Sequence, residues 1–538
     1  MSQRKTTVLL SLIALATCVL VPLLIGKTKP GSRNESRTSA NPTRLAVKVT
    51  APPDSVSKQP ADVALAREID RAIDESDLTR ARWGVFVTSM KDGRVLYSRN
   101  GDKLFTPASN MKIYTTAVAL DLLGADYHWR TSVYTDKETD AGGVIDGNLT
   151  LYGRGAPDLE TNGKNGLASL ADQLYQRGVR QVRGDIIGDE SYFRGELYGL
   201  GWQWNDLQWY FGAEPSALTV NENSVELTIE PANKVGGSAT LTLNRGANYL
   251  HLTNRTATAA RDATTTIGIN RGLSDNELLV WGDFPVGGRS FSAFLSVPKP
   301  ALWAATLFKE ALIARGIKVE GEARSRDFRL AESERFDPQR AFEIAQENSA
   351  ALSDIVRHTN KESDNLYAEL ILRTLGKERG ASAPDPDPRK NRARGDDEAG
   401  TAVIRSWLDR NGVSTDDLAI RDGSGLSRLD LVTPETTARL LVAISRTNSA
   451  TAFHDSLPVA GRDGTLGPRL VRVINRVFAK TGTLTYDHSL SGYAVTPENE
   501  VLAFSIFCND ATGQGNPVRI IDQIAGLVAQ SGSVSPEK

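Results

Sequence analysis

Apolar positions follow three different patterns along this chain. The first is an unbroken run from Val8 to Ile25, about 18 residues long, behind Arg4 and Lys5. That is the length of a membrane-spanning helix and longer than the apolar stretch of a usual signal peptide. No small-x-small cleavage site follows it. Leu15-Ala16-Thr17-Cys18 is a poor lipoprotein site, because Thr17 fits badly and the apolar run continues past Cys18. An N-terminal membrane anchor over residues 1–27 is favoured over a signal peptide, and either one exports the rest. Residues 28–60, rich in Lys, Pro, Ser, Thr and Asn, predict a disordered linker.

The second pattern has helical spacing. It predicts helices over Ala61–Ile73, Asn110–Leu123 (ended by Gly124), Pro298–Gly316 and Leu366–Leu375, and a last one from the Asn516-Pro517 cap to Ala529. In the second of these, Ala117, Leu120 and Leu123 predict one buried face. The third pattern is short and β-like. Gly84–Thr88 and Val95–Tyr97 flank Lys91-Asp92-Gly93 as a hairpin. Strands are expected over Arg476–Thr483, Leu490–Val495 and Val501–Phe507. From about 131 to 335, many short runs such as Val144–Tyr152 alternate with Gly, Asn and Asp turns. Helices beside an antiparallel sheet give an α+β fold. Residues 377–400, charged and Pro-rich, read as a solvated loop.

Charge narrows the function. Net charge is −2, and the pI of about 6.3 gives no sign of a nucleic-acid partner. The two cysteines are Cys18, in the apolar run, and Cys508, in a strand-like run where a buried apolar thiol is expected. None of His128, His251, His358, His454 and His488 has a metal-ligand spacing, so no metal or cofactor is expected.

The chemistry lies in three motifs in one order: Ser109-Asn110-Met111-Lys112, Ser363-Asp364-Asn365 and Lys480-Thr481-Gly482. Each is common alone; Ser55-Val56-Ser57-Lys58 also fits Ser-x-x-Lys. Order and context discriminate. Ser109 and Lys112, three apart on a helix, share a side, so the lysine can activate the serine if neutral. Burial and the charge of Lys480 would both favour that neutral form. The helix start at Ser109 favours developing negative charge. Ser363 can relay a proton to a leaving amine, and Asn365 can hold Lys112 and a substrate amide. Lys480, Thr481 and Thr483 can bind a terminal carboxylate. Gly482 would let a substrate backbone approach, and the N–H groups of Ser109 and Thr483 would form an oxyanion hole. Asp422-Gly423-Ser424-Gly425 lacks the G-x-S-x-G elbow of a Ser-His-Asp hydrolase.

At these residues the chain resembles the low-molecular-mass class C penicillin-binding proteins, the D-alanyl-D-alanine carboxypeptidases/endopeptidases. Gly184–Ser191, Trp202–Asp206, Asp422–Arg428 and Leu457–Leu466 extend the resemblance to roughly residues 62–530. The 254 residues between Ser109 and Ser363 leave room for an insertion that a compact β-lactamase does not have. The resemblance implies a penicillin-recognising (β-lactamase/transpeptidase-like) domain. Its sheet and flanking helices would come from 61–130 and 336–535, with a large, mainly β insertion over 131–335. It implies acylation of Ser109 with Lys112 as base, assistance from Ser363 and Asn365, and a D-alanine carboxylate on Lys480, Thr481 and Thr483. Asp206 (among Trp202, Trp204, Trp209 and Tyr210) and Arg428 become candidates for binding the peptide stem. The implied partners are peptidoglycan peptides ending in D-Ala-D-Ala, with β-lactams as covalent inhibitors. The implied place is the bacterial cell envelope. A β-lactamase-like or esterase activity and a non-catalytic cell-wall scaffold remain the alternatives.

Overall fold

The computed structural model describes residues 56–163, 166–246, 248–273, 275–330, 336–380 and 395–532. The apolar run at 1–27 lies outside them, as does most of the linker. The end of that linker departs from expectation. Ser57 donates its N–H to Val95 O and its hydroxyl to Asp62, and Pro60 already begins the helix Pro60–Asp74.

A five-stranded antiparallel sheet positions the site. Its order is Val477–Leu484, Asp487–Val495, Val501–Asn509, Arg82–Ser89, Val95–Arg99. Chain start and chain end meet in its middle, where Arg82–Ser89 pairs with Val501–Asn509 over eight residue pairs. Two terminal helices, Pro60–Asp74 and Pro517–Gln530, cover one face and bury Ile69, Ile521 and Ile524 against Val85 and Phe504. Asn516 caps the last helix by accepting the Arg519 N–H at 3.1 Å. Cys508 is buried in this layer, and burial pushes its thiol up to about 12.

The other face carries helices Met111–Leu123, Leu352–Glu362, Asn365–Arg379, Asp396–Arg410 and Pro434–Ile444. Met111–Leu123 is buried on every side from Met111 to Leu120, not on one face as its Ala and Leu positions suggest. It runs through the middle of the helical layer, and Lys112, Thr115 and Thr116 are buried with their polar atoms bonded. Both ends of the loop expected at 377–400 are helical, because one helix continues to Arg379 and the next starts at Asp396, and its middle, 381–394, lies outside the described residues. Gly376 and Gly400 let these helices cross closely: a Cβ at Gly376 would lie 1.8 Å from Asp396 O.

Residues 130–348 form a second core. A mixed sheet runs Ala323–Arg326, Ile186–Asp189, Leu149–Tyr152, Arg130–Thr135, Phe342–Asn348. Two helices back it, Pro300–Arg315 and Leu167–Gln176; the second is not evident from the apolar pattern. Between Ser224 and Ser296 lie two further three-stranded sheets. The region is therefore an α/β layer enclosing a purely β part.

Candidate active site

Ser109 sits in a tight 3-10 turn, Ala108–Asn110, immediately before the buried helix. Ala108 has φ +48°, a left-handed conformation that costs a non-glycine residue about 1–3 kcal/mol. Three contacts hold the turn. Asn110 donates to Lys480 O at 2.9 Å and Ser489 Oγ donates to Pro107 O at 2.7 Å. Gly425, at φ +80°, packs so tightly that a Cβ there would sit 1.8 Å from Ala108 O. The nucleophile turn is thus clamped between the sheet and a loop more than three hundred residues later.

Lys112 is wholly buried. Its Nζ lies 3.0 Å from Ser109 Oγ, 2.6 Å from Asn365 Oδ1 and 2.7 Å from Ser424 O. A neutral amine has two N–H donors and one lone pair. The two carbonyl oxygens can only accept, so they take the N–H groups and leave the lone pair to face the serine hydroxyl. Burial lowers Lys112 to about 8, against the raising effect of Asp422, Asp364 and Glu369. The expected push from Lys480 does not figure among these causes. The repulsion falls instead on Lys480, which burial and then Lys112 hold well below its ordinary value.

Ser363 occupies a left-handed corner, φ +64°, at the end of Leu352–Glu362. The next residue, Asp364, caps the following helix by accepting the Tyr367 N–H at 2.9 Å. The corner turns Ser363 toward Lys480, whose Nζ donates to Ser363 Oγ at 2.8 Å and to Thr481 O at 2.9 Å. Asn365 reaches the other way as well, donating Nδ2 to Phe211 O at 2.9 Å, so the inserted region touches the site.

Lys480, Thr481, Gly482 and Thr483 lie on the edge strand of the main sheet. Ala460 N–H on Val477 O and Ala479 N–H on Pro458 O cover only the first half of that edge. Strand alternation turns Thr481 and Thr483 the same way as Val477 and Ala479, beyond the cover. Thr481 Oγ1 bonds Thr465 Oγ1 at 2.8 Å, and Thr483 is exposed. At Gly482 the nucleophile turn sets a constraint of its own. A Cβ there would lie 2.2 Å from Ser489 Oγ, 2.8 Å from Pro107 O and 3.0 Å from Ser109 N. The missing side chain admits that turn.

Asp206 and Arg428 lie at the rim. Burial raises Asp206 and the Arg428 charge opposes this, so the two feel each other. Arg428 itself bonds Asp487 Oδ2 at 2.6 Å and Thr485 O at 2.9 Å, just past the Lys480 strand. The aromatic residues around Asp206 divide: Trp204 is 72% exposed and Tyr210 46%, while Trp209 packs against the second core. Trp202 turns inward and donates to Asp422 at 2.8 Å.

Ser424 is fully buried and donates its hydroxyl to Asp422 at 3.0 Å, which removes it as an alternative nucleophile. Its carbonyl on Lys112 escaped the motif reading, as did Asn110, Asp422 and Glu369. Glu369 carried one signal, its i+4 spacing from Asn365 on one helix face. Among the described residues, Glu222, His358 and Asp364 bring possible metal-ligating atoms within 4.8 Å of one another. The Asp364 carboxylate, 3.6 Å from His358 Nε2, raises that imidazole, and an ion pair accounts for the grouping.

A half-buried serine beside a buried, neutral-leaning lysine, with a second lysine on a free strand edge, defines a serine acyl-transfer enzyme of the penicillin-recognising fold. Comparison narrows the class. The D-Ala-D-Ala carboxypeptidase 3 (S13) family matches residues 65–531, and the chain belongs to that family. It is a serine-type, penicillin-binding carboxypeptidase. It is 34% identical over 487 residues to a D-alanyl-D-alanine carboxypeptidase of Actinomadura sp. (strain R39), covering 88% of this chain and 86% of that one. It is 27% identical to D-alanyl-D-alanine carboxypeptidase DacB of Haemophilus influenzae, over 81% of this chain and 88% of that one. The fold matches the crystal structure of penicillin binding protein 4 from H. influenzae with a TM-score of 0.74, at 23% identity. That match covers 86% of this chain and 99% of the other.

Proposed function

We propose that the chain removes the terminal D-alanine from peptidoglycan stem peptides, and opens D-alanyl cross-links, through an ester on Ser109. Ser109 Oγ attacks the penultimate D-alanyl carbonyl while its proton passes to Lys112 Nζ. The N–H groups of Ser109 and Thr483 receive the oxyanion. As the C–N bond breaks, Ser363, bonded to Lys480, relays the proton taken up by Lys112 to the leaving nitrogen, which restores the neutral Lys112 amine. Water then hydrolyses the ester. Lys480 is depressed in the empty site, and a substrate carboxylate would favour its charged form, with Thr481 and Thr483 beside it. Asn365 keeps Lys112 in place and faces the substrate amide. Asp206 and Arg428, opposite charges at an aromatic rim, receive the peptide stem.

The observation that carries this reading is the Lys112 amine, 3.0 Å from Ser109 Oγ with two carbonyl oxygens on its other contacts. The H. influenzae protein has been crystallised with a β-lactam, and two relatives are named as D-alanyl-D-alanine carboxypeptidases. These names and the apolar N-terminal run support a reading of the protein as an enzyme of the cell envelope. Incubating the chain with penicillin and reading intact mass tests the proposal. A persistent adduct on wild type and none on Ser109→Ala is expected. Rapid turnover of penicillin without an adduct would favour a β-lactamase, and neither adduct nor turnover would favour the scaffold. Release of free D-alanine against cleavage of cross-linked dimers then measures the two arms.

A further inference from the structure

The loop from Arg421 to Asp430 is organised around buried carboxyl groups rather than by regular secondary structure. Asp422 accepts the N–H groups of Gly425 at 2.7 Å and Ser427 at 2.8 Å. Asp430 accepts that of Arg421 at 2.6 Å. Glu369, which reaches in from the Asn365 helix and is 1% exposed, accepts both Gly423 N–H and Ser424 N–H at 2.8 Å through one oxygen. With these N–H groups turned toward the carboxylates, two loop carbonyls bond the Met111–Leu123 helix. Gly423 O accepts from Thr115 Oγ1 at 2.8 Å and Ser424 O from Lys112 Nζ at 2.7 Å.

Given the acyl-transfer reading above, we propose that Glu369 is a positioning residue for the base. Its carboxyl fixes the two peptides that lead into Ser424, through the Gly423 and Ser424 N–H groups, while Asp422 holds the Gly425 N–H of the Ser424–Gly425 peptide itself at 2.7 Å. Glu369 thereby sets the direction in which the Ser424 carbonyl leaves the loop, so that it stays on Lys112 and the lone pair of the neutral amine stays on Ser109. The wider cost of three carboxyls in one apolar interior is large. Burial and Asp422 push Glu369 up to about 8, Arg373 opposes this, and Asp430 is held far above the carboxylate range. The charged groups facing Lys112 are Asp364, Asp422 and Glu369, together with Lys480 across the site.

The test compares the full chain with its Glu369→Ala and Glu369→Gln variants. For each, the acylation rate constant by a fluorescent penicillin is measured from pH 5 to 10, separately from the dissociation constant of the initial complex. Glu369→Ala should slow acylation by about tenfold to a hundredfold with initial binding unchanged. Glu369→Gln, whose amide oxygen can still accept both N–H groups, should recover to within about threefold of wild type. If Glu369→Ala does not fold, Glu369→Asp takes its place: it keeps a carboxyl but sets it one methylene back from the two N–H groups, and should slow acylation by about tenfold. Wild-type rates in a folded Glu369→Ala or Glu369→Asp variant, or no recovery in Glu369→Gln, overturn the proposal. Failure of wild type itself to acylate would instead sink the acyl-transfer reading.

Discussion

The Ser109 cleft and the sheets between Ser224 and Ser296 are built on opposite plans. In the strand Ser224–Glu230, every second residue is buried: Val225, Leu227 and Ile229 face the core and their neighbours face outward. Its pairing with Phe291–Ser296 and Thr240–Leu243 follows from that alternation and nearby turns. In the cleft, no stretch of chain makes sense alone. Lys112 is held by Asn365 and Ser424, Ser363 by Lys480, Asn110 by the Lys480 peptide. The outer sheets bury hydrocarbon and bond locally. The cleft buries charge, and the contacts that assemble it join residues more than a hundred positions apart. A substitution in one region should therefore change stability, and in the other rate.

Removing the base breaks the comparison most severely. Lys112→Met fits the same space but has no lone pair for the serine proton. Acylation by penicillin should fall by about a thousandfold or more, within the range that general base catalysis contributes. A cooperative thermal transition in the same sample shows that the loss is chemical. The pH profile probes the same group without mutation. Lys112 is lowered to about 8, so its base form is lost as pH falls through that value. Between pH 8 and pH 6 the acylation rate should drop by roughly a hundredfold, tenfold for each unit below the pKa. A flat profile across that window would show that Lys112 is not the base.

Gly482→Ala comes next. The added methyl must displace Ser489 Oγ or the Pro107–Ser109 turn, since it would lie 2.2 Å from the former and 2.8 Å from Pro107 O. Overpacking of this kind costs about 1–3 kcal/mol. Because the turn carries the nucleophile, acylation should fall by at least about tenfold in protein that is still folded. Stopped-flow acylation alongside denaturant unfolding separates the two effects. Loss of stability with no loss of rate would mean that Ser489 yields and the turn does not.

What the sequence made legible follows the same division. Periodicity found the terminal helix, the hairpin and the edge strand to within a few residues, because each is a local pattern bounded by Gly, Pro or Asn. The order of three motifs brought out Ser109, Lys112, Ser363 and Lys480. The sequence did not reveal Ser424, whose contribution is a backbone carbonyl, since every residue type has one. Nor did it reveal why Gly482 is a glycine, because the atoms filling its space belong to Pro107, Ser109 and Ser489. Leu167–Gln176 was missed for a simpler reason: at ten residues it is short and lies among β-like runs. The Met111–Leu123 helix was found but read as buried on one face, because its buried polar side chains hide how deeply it lies.

The smallest kinetic effect is expected from the largest purely apolar change. Leu227 is fully buried in the second core, beside Val225, Ile229 and Leu295. Truncating it to alanine leaves a cavity and should cost about 2–5 kcal/mol. The inserted region's hydrogen bonds to the site include Phe211 O on Asn365 and Trp202 on Asp422, and Phe211 and Trp202 both lie outside the Ser224–Ser296 strands. Leu227→Ala should therefore lower the melting temperature yet leave the acylation rate of the folded protein within about twofold of wild type, an independence expected of distant sites. Active-site titration gives the folded fraction, and the rate is scored against it. A rate falling in step with stability would mean that the outer sheets bear on the Phe211–Asn365 contact, and that the two building plans are one mechanical unit.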